Sequence, residues 1–181
     1  MVKRLQINKK KERKIMIDLK KAKVVLFDFD DTLCLHTQHR KDTQVEREKY
    51  FSENVFTSGD FTETWDDTKI STTMDRFMHK CNELGLELGL VSSVENYRIA
   101  KNKVRWVKAV YGLKLRNYCT SVSDDGTAKV RMMQAIADSK GLANDEILII
   151  DDWWIVLEAA ANRGFQAASP MECVAYIEEH E

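Results

Sequence analysis

Residues 23–32 read Lys-Val-Val-Leu-Phe-Asp-Phe-Asp-Asp-Thr, and this stretch decides the fold class. The run 23–29 is rich in β-branched and aromatic side chains and therefore predicts a β-strand. Both of its faces are apolar, which is typical of a central parallel strand that helices cover on both sides. Polar side chains follow at Asp28 and Asp30, at the carboxyl end of the strand, where functional sites of such sheets lie.

Strands and helices alternate along the rest of the chain. Further strands are predicted at 86–91, 118–122, 146–150 and 165–168, and helices at 71–84, 96–111, 127–140, 155–163 and 171–179. Such alternation indicates βαβ units with right-handed crossovers. We therefore predict an α/β protein with a three-layer, Rossmann-like parallel sheet.

Four of these segments end in, or lead to, side chains that handle phosphate. They are Asp28 and Asp30, then Ser92, then the loop before Lys129, then Asp151 and Asp152. Covalent phosphoryl transfer requires a carboxylate nucleophile, an acid/base, a divalent metal, a cation and a hydrogen-bond donor. The strand ends supply all five.

Each group also has a simpler interpretation when it is taken alone. Asp30 to Thr32, Ser92 with Ser93, and the Asp151–Asp152 pair could each cap a helix or form a turn. Lys129 could be an ordinary solvated lysine. The occurrence of all of them in order favours one site, with Asp28 and Asp30 on the same side of an extended chain.

The run 24–33 resembles the first motif of the haloacid dehalogenase superfamily, a hydrophobic strand followed by DxDx[TV]L. Leu-Gly-Leu-Val-Ser92 is similar to the second motif, and Lys129 at the start of a helix is similar to the third. Ile-Leu-Ile-Ile-Asp151-Asp152 is similar to the fourth motif in its double-aspartate form. The resemblance covers residues 24–168.

The resemblance implies a role for each motif residue. Asp28 would be the nucleophile and a Mg²⁺ ligand, and Asp30 the general acid/base, with its backbone carbonyl on the metal. Ser92 would hydrogen-bond the phosphoryl oxygens, and Lys129 would offset the charge of the aspartyl-phosphate. Asp151, assisted by Asp152, would complete the Mg²⁺ site. Hard carboxylate oxygens suit that ion.

Two regions depart from, or add to, this pattern. Trp153 and Trp154 stand where the family commonly has small or polar residues, and they could belong to the core or wall the pocket. Residues 36–70 are polar and would form a small cap or loop insertion after the first strand. The expected domains are therefore a basic arm or helix at 1–22 and a catalytic domain at 23–181.

Composition excludes several other classes. The formal net charge is -1, so no global field favours nucleic acid or an anionic membrane. The basic arm leaves a nucleic-acid partner open, although a solvated helix face is the commoner explanation. No apolar run reaches the roughly 18 residues of a membrane span. The four cysteines lack CxxC spacing, which indicates reduced thiols and a cytoplasmic protein.

The sequence therefore predicts a Mg²⁺-dependent phosphatase that acts on a phosphorylated substrate of unknown size. Two alternatives stay open. One is a binding or regulatory module on the same scaffold, and the other is a phosphotransferase or nucleic-acid end phosphatase. The oligomeric state is not predicted.

Overall fold

The computed structural model describes residues 17–36, 68–70, 72–94, 96–121 and 126–180. The strands are β1 Val24–Phe27, β2 Cys34–His36, β3 Thr68–Ile70, β4 Glu87–Leu90, β5 Ser93–Val94, β6 Arg116–Asn117, β7 Thr120–Ser121, β8 Ile147–Ile150 and β9 Gln166–Ala168. The helices are α1 Thr72–Glu83, α2 Tyr97–Tyr111, α3 Thr127–Lys140, α4 Trp154–Asn162 and α5 Pro170–His180.

Among the described residues, the main sheet has five parallel strands in the order β6-β4-β1-β8-β9. In the centre of the sheet, Phe27 of β1 pairs with Leu90 of β4 and with Ile150 of β8. The three central strands therefore end level with one another. Asp28, Ser92 and Asp151 follow these ends within two residues, which brings them to one edge of the sheet.

Helices cover both faces of this sheet. Val25 and Phe27 lie in one apolar cluster with side chains of α1, α2 and α5. Val24 and Leu26 lie in a second cluster with side chains of α3 and α4. Alternate side chains of β1 thus enter opposite layers, as the strand period requires. The predicted three-layer parallel α/β fold is confirmed.

The segment 118–122, predicted as a strand of the parallel sheet, contains no strand of the main sheet among its described residues. The edge strand of the main sheet is β6, and β7 pairs instead with β5 outside that sheet. Asn117 Oδ1 accepts a hydrogen bond from the Cys119 backbone N–H at 3.0 Å. Such a side-chain turn competes with the regular ladder and separates the two short strands.

Two predicted segments fall mostly outside the described residues. Of the insertion predicted at 36–70, residues 37–67 lie outside them, but β2 and β3 pair antiparallel and so bring its two ends together. Of the basic arm, residues 1–16 lie outside them, whereas Leu19 and Ala22 are buried. Within the described ranges, no helix is both long and apolar enough to cross a membrane. Among the described residues, Cys81, Cys119 and Cys173 are free thiols.

Candidate active site

The turn after β1 places two of the predicted carboxylates. Leu33 N–H and Cys34 N–H both donate to the Phe29 carbonyl, at 3.0 and 2.9 Å. Asp31 has a φ of 55°, a left-handed conformation that Asp tolerates better than most residues. The chain therefore reverses direction directly after β1. Asp28, before the turn, is buried, and the side chain of Asp30, within the turn, is 33% exposed.

A pocket of about 240 Å³ opens at this edge of the sheet. It is lined by Asp28, Asp30, Asp31, Ser92, Ser93, Lys129, Asp151, Asp152 and Trp153. The structure thus brings together every site residue predicted from the sequence.

Lys129 reaches the pocket from the first turn of α3. Gly126, which precedes this helix, has a φ of 68°, and a Cβ atom there would lie 2.8 Å from the Val156 side chain. A glycine therefore lets α3 begin close against α4. Lys129 Nζ lies 2.9 Å from Asp28 Oδ1 and 2.7 Å from Asp151 Oδ2.

Lys129 is only 5% exposed. Burial by itself would lower the pKa of its ammonium group, but the charges of Asp28 and Asp151 raise that pKa above its usual value. Lys129 is therefore a permanent cation between two buried carboxylates. One positive charge between two negative ones leaves this side of the pocket negatively charged.

The two aspartates after β8 differ in their surroundings. Asp151 is fully buried, and its Oδ1 accepts a hydrogen bond from the Trp153 N–H at 2.9 Å. Burial and the charge of Asp28 raise the pKa of Asp151 to about 6, although Lys129 acts in the opposite direction. Asp152 lies at the open side, where desolvation and the charges of Asp28 and Asp151 raise its pKa to about 7.

These three carboxylates can hold a cation. Asp28, Asp151 and Asp152 each offer an oxygen, and the three oxygens lie within 4.8 Å of one another. A divalent cation among them would relieve the repulsion that raises the two pKa values. Hard oxygen ligands are those that Mg²⁺ prefers, so the donor set fits the predicted ion.

Ser92 lies on the other side of Asp28, with a second buried lysine that the sequence analysis missed. Lys103 Nζ lies 2.6 Å from Asp30 Oδ2 and 2.8 Å from Ser92 Oγ. The only sequence signal was its spacing, because Lys103 is four residues from both Ile99 and Val107 on the apolar stripe of α2. A lysine on such a stripe is buried only if it has a polar partner.

The two tryptophans after Asp152 separate. Trp153 is half-buried and lines the pocket, whereas Trp154 is 65% exposed at the start of α4. Trp153 contacts the α3–α4 apolar cluster as well, so it is both part of the core and a wall of the pocket.

Neither a scan of protein-family models nor a search of curated proteins gives a match to this chain. Solved structures do resemble it. Phosphoserine phosphatase in its apo form has 14% identity and a TM-score of 0.53, over 82% of this chain and 86% of that chain. A phosphoserine phosphatase with an analogue of the phospho-aspartyl intermediate has 16% identity and a TM-score of 0.51, over 83% and 89% of the two chains.

A haloacid dehalogenase-like hydrolase from Streptococcus pneumoniae is also similar. It has 12% identity and a TM-score of 0.51, over 87% of this chain and 99% of that chain. The chain therefore has the fold of the haloacid dehalogenase hydrolases and phosphatases, as its sequence motifs predict.

Proposed function

We propose that this chain, with its haloacid dehalogenase fold, is a Mg²⁺-dependent phosphatase that hydrolyses a phosphomonoester through an aspartyl-phosphate at Asp28. The observation that carries the proposal is the position of Asp28 in the pocket. A buried ammonium group contacts it at 2.9 Å, and carboxylates and a hydroxyl of the predicted types surround it. A scaffold that only bound a ligand would not require this complete set.

In the first step, a carboxylate oxygen of Asp28 attacks phosphorus, and the bond from phosphorus to the leaving oxygen breaks. Asp30 gives the leaving oxygen a proton. Ser92 donates its hydroxyl to a phosphoryl oxygen, and the Lys129 ammonium offsets the charge that the transferred group carries.

In the second step, Asp30 takes a proton from a water molecule as the water oxygen attacks phosphorus. The bond from phosphorus to Asp28 breaks, which releases inorganic phosphate. The Asp28 carboxylate and the protonated Asp30 are regenerated, so atoms and charge balance over the cycle. The phosphoserine phosphatase that carries a phospho-aspartyl intermediate analogue on the same fold supports this covalent route.

Asp28, Asp151, Asp152 and the backbone carbonyl of Asp30 are the groups that would hold Mg²⁺. When it is bound, the ion supplies positive charge that lets an anionic nucleophile approach an anionic phosphoryl group. The protein itself provides orientation and a buried environment in which these charges act strongly.

The experiment is a screen of phosphorylated compounds with and without Mg²⁺ on the wild type and Asp28→Asn. We expect the variant to lose turnover by about 10⁴-fold or more, because a neutral amide replaces the carboxylate that attacks phosphorus. Asp138→Asn, on the exposed face of α3, is the matched control and should keep wild-type rates. Acid-quenched wild-type protein should carry phosphate on Asp28.

Turnover that survives Asp28→Asn would disprove the covalent mechanism. Full activity in a chelator would disprove the role of Mg²⁺. A wild type that binds phosphorylated compounds without turning them over would favour a binding module.

A further inference from the structure

Lys103 is a buried cation that the proposed mechanism does not use. It is 3% exposed, near the middle of α2, and its ammonium group lies 4.8 Å from the centre of the Phe29 ring. Moving the ammonium group of a lysine out of water is strongly unfavourable unless partners compensate. Its position over an aromatic face and beside a carboxylate provides that compensation.

Asp30 and Ser92, the partners of Lys103, line the pocket. Lys103 is not among the described residues that line it. Its ammonium group donates to Asp30 Oδ2 at 2.6 Å and to Ser92 Oγ at 2.8 Å. These two residues follow different strands, β1 and β4. The Lys103 ammonium group therefore contacts both the acid/base Asp30 and the phosphate-binding hydroxyl of Ser92, without itself lining the pocket.

Resting on the proposed function, we infer that Lys103 is a positioning residue that holds the Asp30 carboxylate and the Ser92 hydroxyl in their working orientations. An ammonium group has only donors, so Ser92 Oγ must act as acceptor toward it. The hydroxyl proton of Ser92 is then directed elsewhere, where it can serve a phosphoryl oxygen. The same ammonium group restricts the rotation of the Asp30 carboxylate.

Helix α2 is itself anchored to the turn that carries Asp30. The Tyr111 hydroxyl, two turns beyond Lys103, donates a hydrogen bond to the Leu33 carbonyl. At the start of the helix, Asn96 Oδ1 accepts from the Ile99 N–H at 3.1 Å. The helix therefore contacts the turn through Lys103, Trp106 and Tyr111, and a cap completes its first turn.

A double-mutant cycle with 4-nitrophenyl phosphate and Mg²⁺ tests this inference. If Lys103 acts through Asp30, Lys103→Met should lower kcat by about 10²-fold in the wild type, a typical acid/base contribution. It should lower kcat by about tenfold or less when Asp30 is already Asn. Disruption of the fold would instead reduce the rate by the same factor in both backgrounds.

Lys101→Met is the matched control, because Lys101 is an exposed lysine on the same helix. It should leave kcat and KM unchanged. If Lys103→Met does not fold, Lys103→Gln, which keeps a hydrogen-bond donor but not the charge, takes its place in the cycle. Equal losses in the two backgrounds would overturn the inference.

Crystal structures of the wild type and Lys103→Met give a second readout that needs no turnover. We expect the Asp30 carboxylate and the Ser92 hydroxyl to take new rotamers or several conformers in the variant. Unchanged positions of both groups would overturn the inference even if the wild type were inactive. A wild type that hydrolyses no phosphomonoester would disprove the proposed function instead, so the two failures are distinguishable.

Discussion

Lys129 and Lys103 lie on opposite sides of β1, in different electrostatic surroundings. Lys129 lines the pocket, whereas Lys103 contacts the lining residues Asp30 and Ser92. Lys129 lies between two carboxylates that are both almost fully buried, whereas Lys103 lies between one partly exposed carboxylate and a neutral hydroxyl. When these carboxylates are ionised, the Lys129 side therefore keeps an excess of negative charge, and the Lys103 side is balanced. The β8 side is therefore suited to a divalent cation, and the β4 side is suited to holding Asp30 and Ser92 in position.

The largest expected effect is a contrast in stability between the two lysines. Without metal at pH 8, Lys129→Met should lower the free energy of unfolding by about 3 kcal/mol or more, because it leaves two buried carboxylates uncompensated. Lys103→Met should cost about 1–2 kcal/mol, since Asp30 can be hydrated and Ser92 carries no charge. Urea unfolding of both variants in a chelator measures the difference.

A loss of unfolding free energy in Lys103→Met equal to or larger than that in Lys129→Met would contradict the expected difference between the two lysines.

The proposed role of Lys129 in offsetting phosphoryl charge further predicts a loss of about 10²–10³-fold in kcat for Lys129→Met. The exposed Lys101→Met serves as the control for both measurements.

A smaller effect is expected on the affinity of the protein for Mg²⁺, which should depend mainly on the carboxylates of the β8 side. Asp152→Asn removes one of three clustered carboxylates and should weaken Mg²⁺ binding by about tenfold, as substitutions around metal sites commonly do. Asp31→Asn is the control, because Asp31 also lines the pocket but does not belong to that cluster. It should change the affinity by less than about threefold.

Calorimetric titration of each variant with Mg²⁺ gives the dissociation constants. If Asp31→Asn weakened binding more than Asp152→Asn, the metal would not lie on the β8 side. If neither substitution had an effect, the acidic cluster would not be the metal site.

The smallest effect is expected at the amino-terminal ends of the strands, on the side of the sheet away from the pocket, where Glu87 begins β4. Its Oε1 accepts from the Tyr118 hydroxyl at 2.6 Å and its Oε2 from Lys140 at 2.9 Å. Burial acts to raise the pKa of Glu87, but the hydrogen bonds and charges of its partners lower it below its usual 4.5. The contribution of this group to stability is therefore present above the unfolded pKa and is lost as pH falls through the folded one.

Because the Glu87 side chain is 23% exposed, Glu87→Gln should cost less than about 1 kcal/mol at pH 7. The difference from the wild type should shrink on acidification below pH about 4. Chemical unfolding at several pH values measures it. If Glu87→Gln lowered the free energy of unfolding at pH 7 as much as Lys103→Met, the ion pairs of Glu87 and of Lys103 would contribute equally to stability, contrary to this expectation.

The order of the elements and the candidate residues at their ends could be predicted from the amino-acid sequence. Apolar runs such as 147–150 predict a buried strand from local composition, and residues such as Asp151 follow directly in the chain. Ser92 was found in the same way, whereas Lys129 was assigned from its place at the start of a helix and from the resemblance to the third motif. These signals are local, so no knowledge of distant contacts was required.

Contacts between side chains that are distant in the chain became visible only in the folded structure. Lys103 is 73 positions from Asp30 in the chain, and it faces Asp30 only because the packing of α2 sets the rotation of that helix. The edge strand at Arg116–Asn117 and the separation of Trp153 from Trp154 likewise depend on neighbouring elements. Local sequence sets the period of an element, whereas its rotation and its neighbours follow from burial of apolar surface over the whole chain.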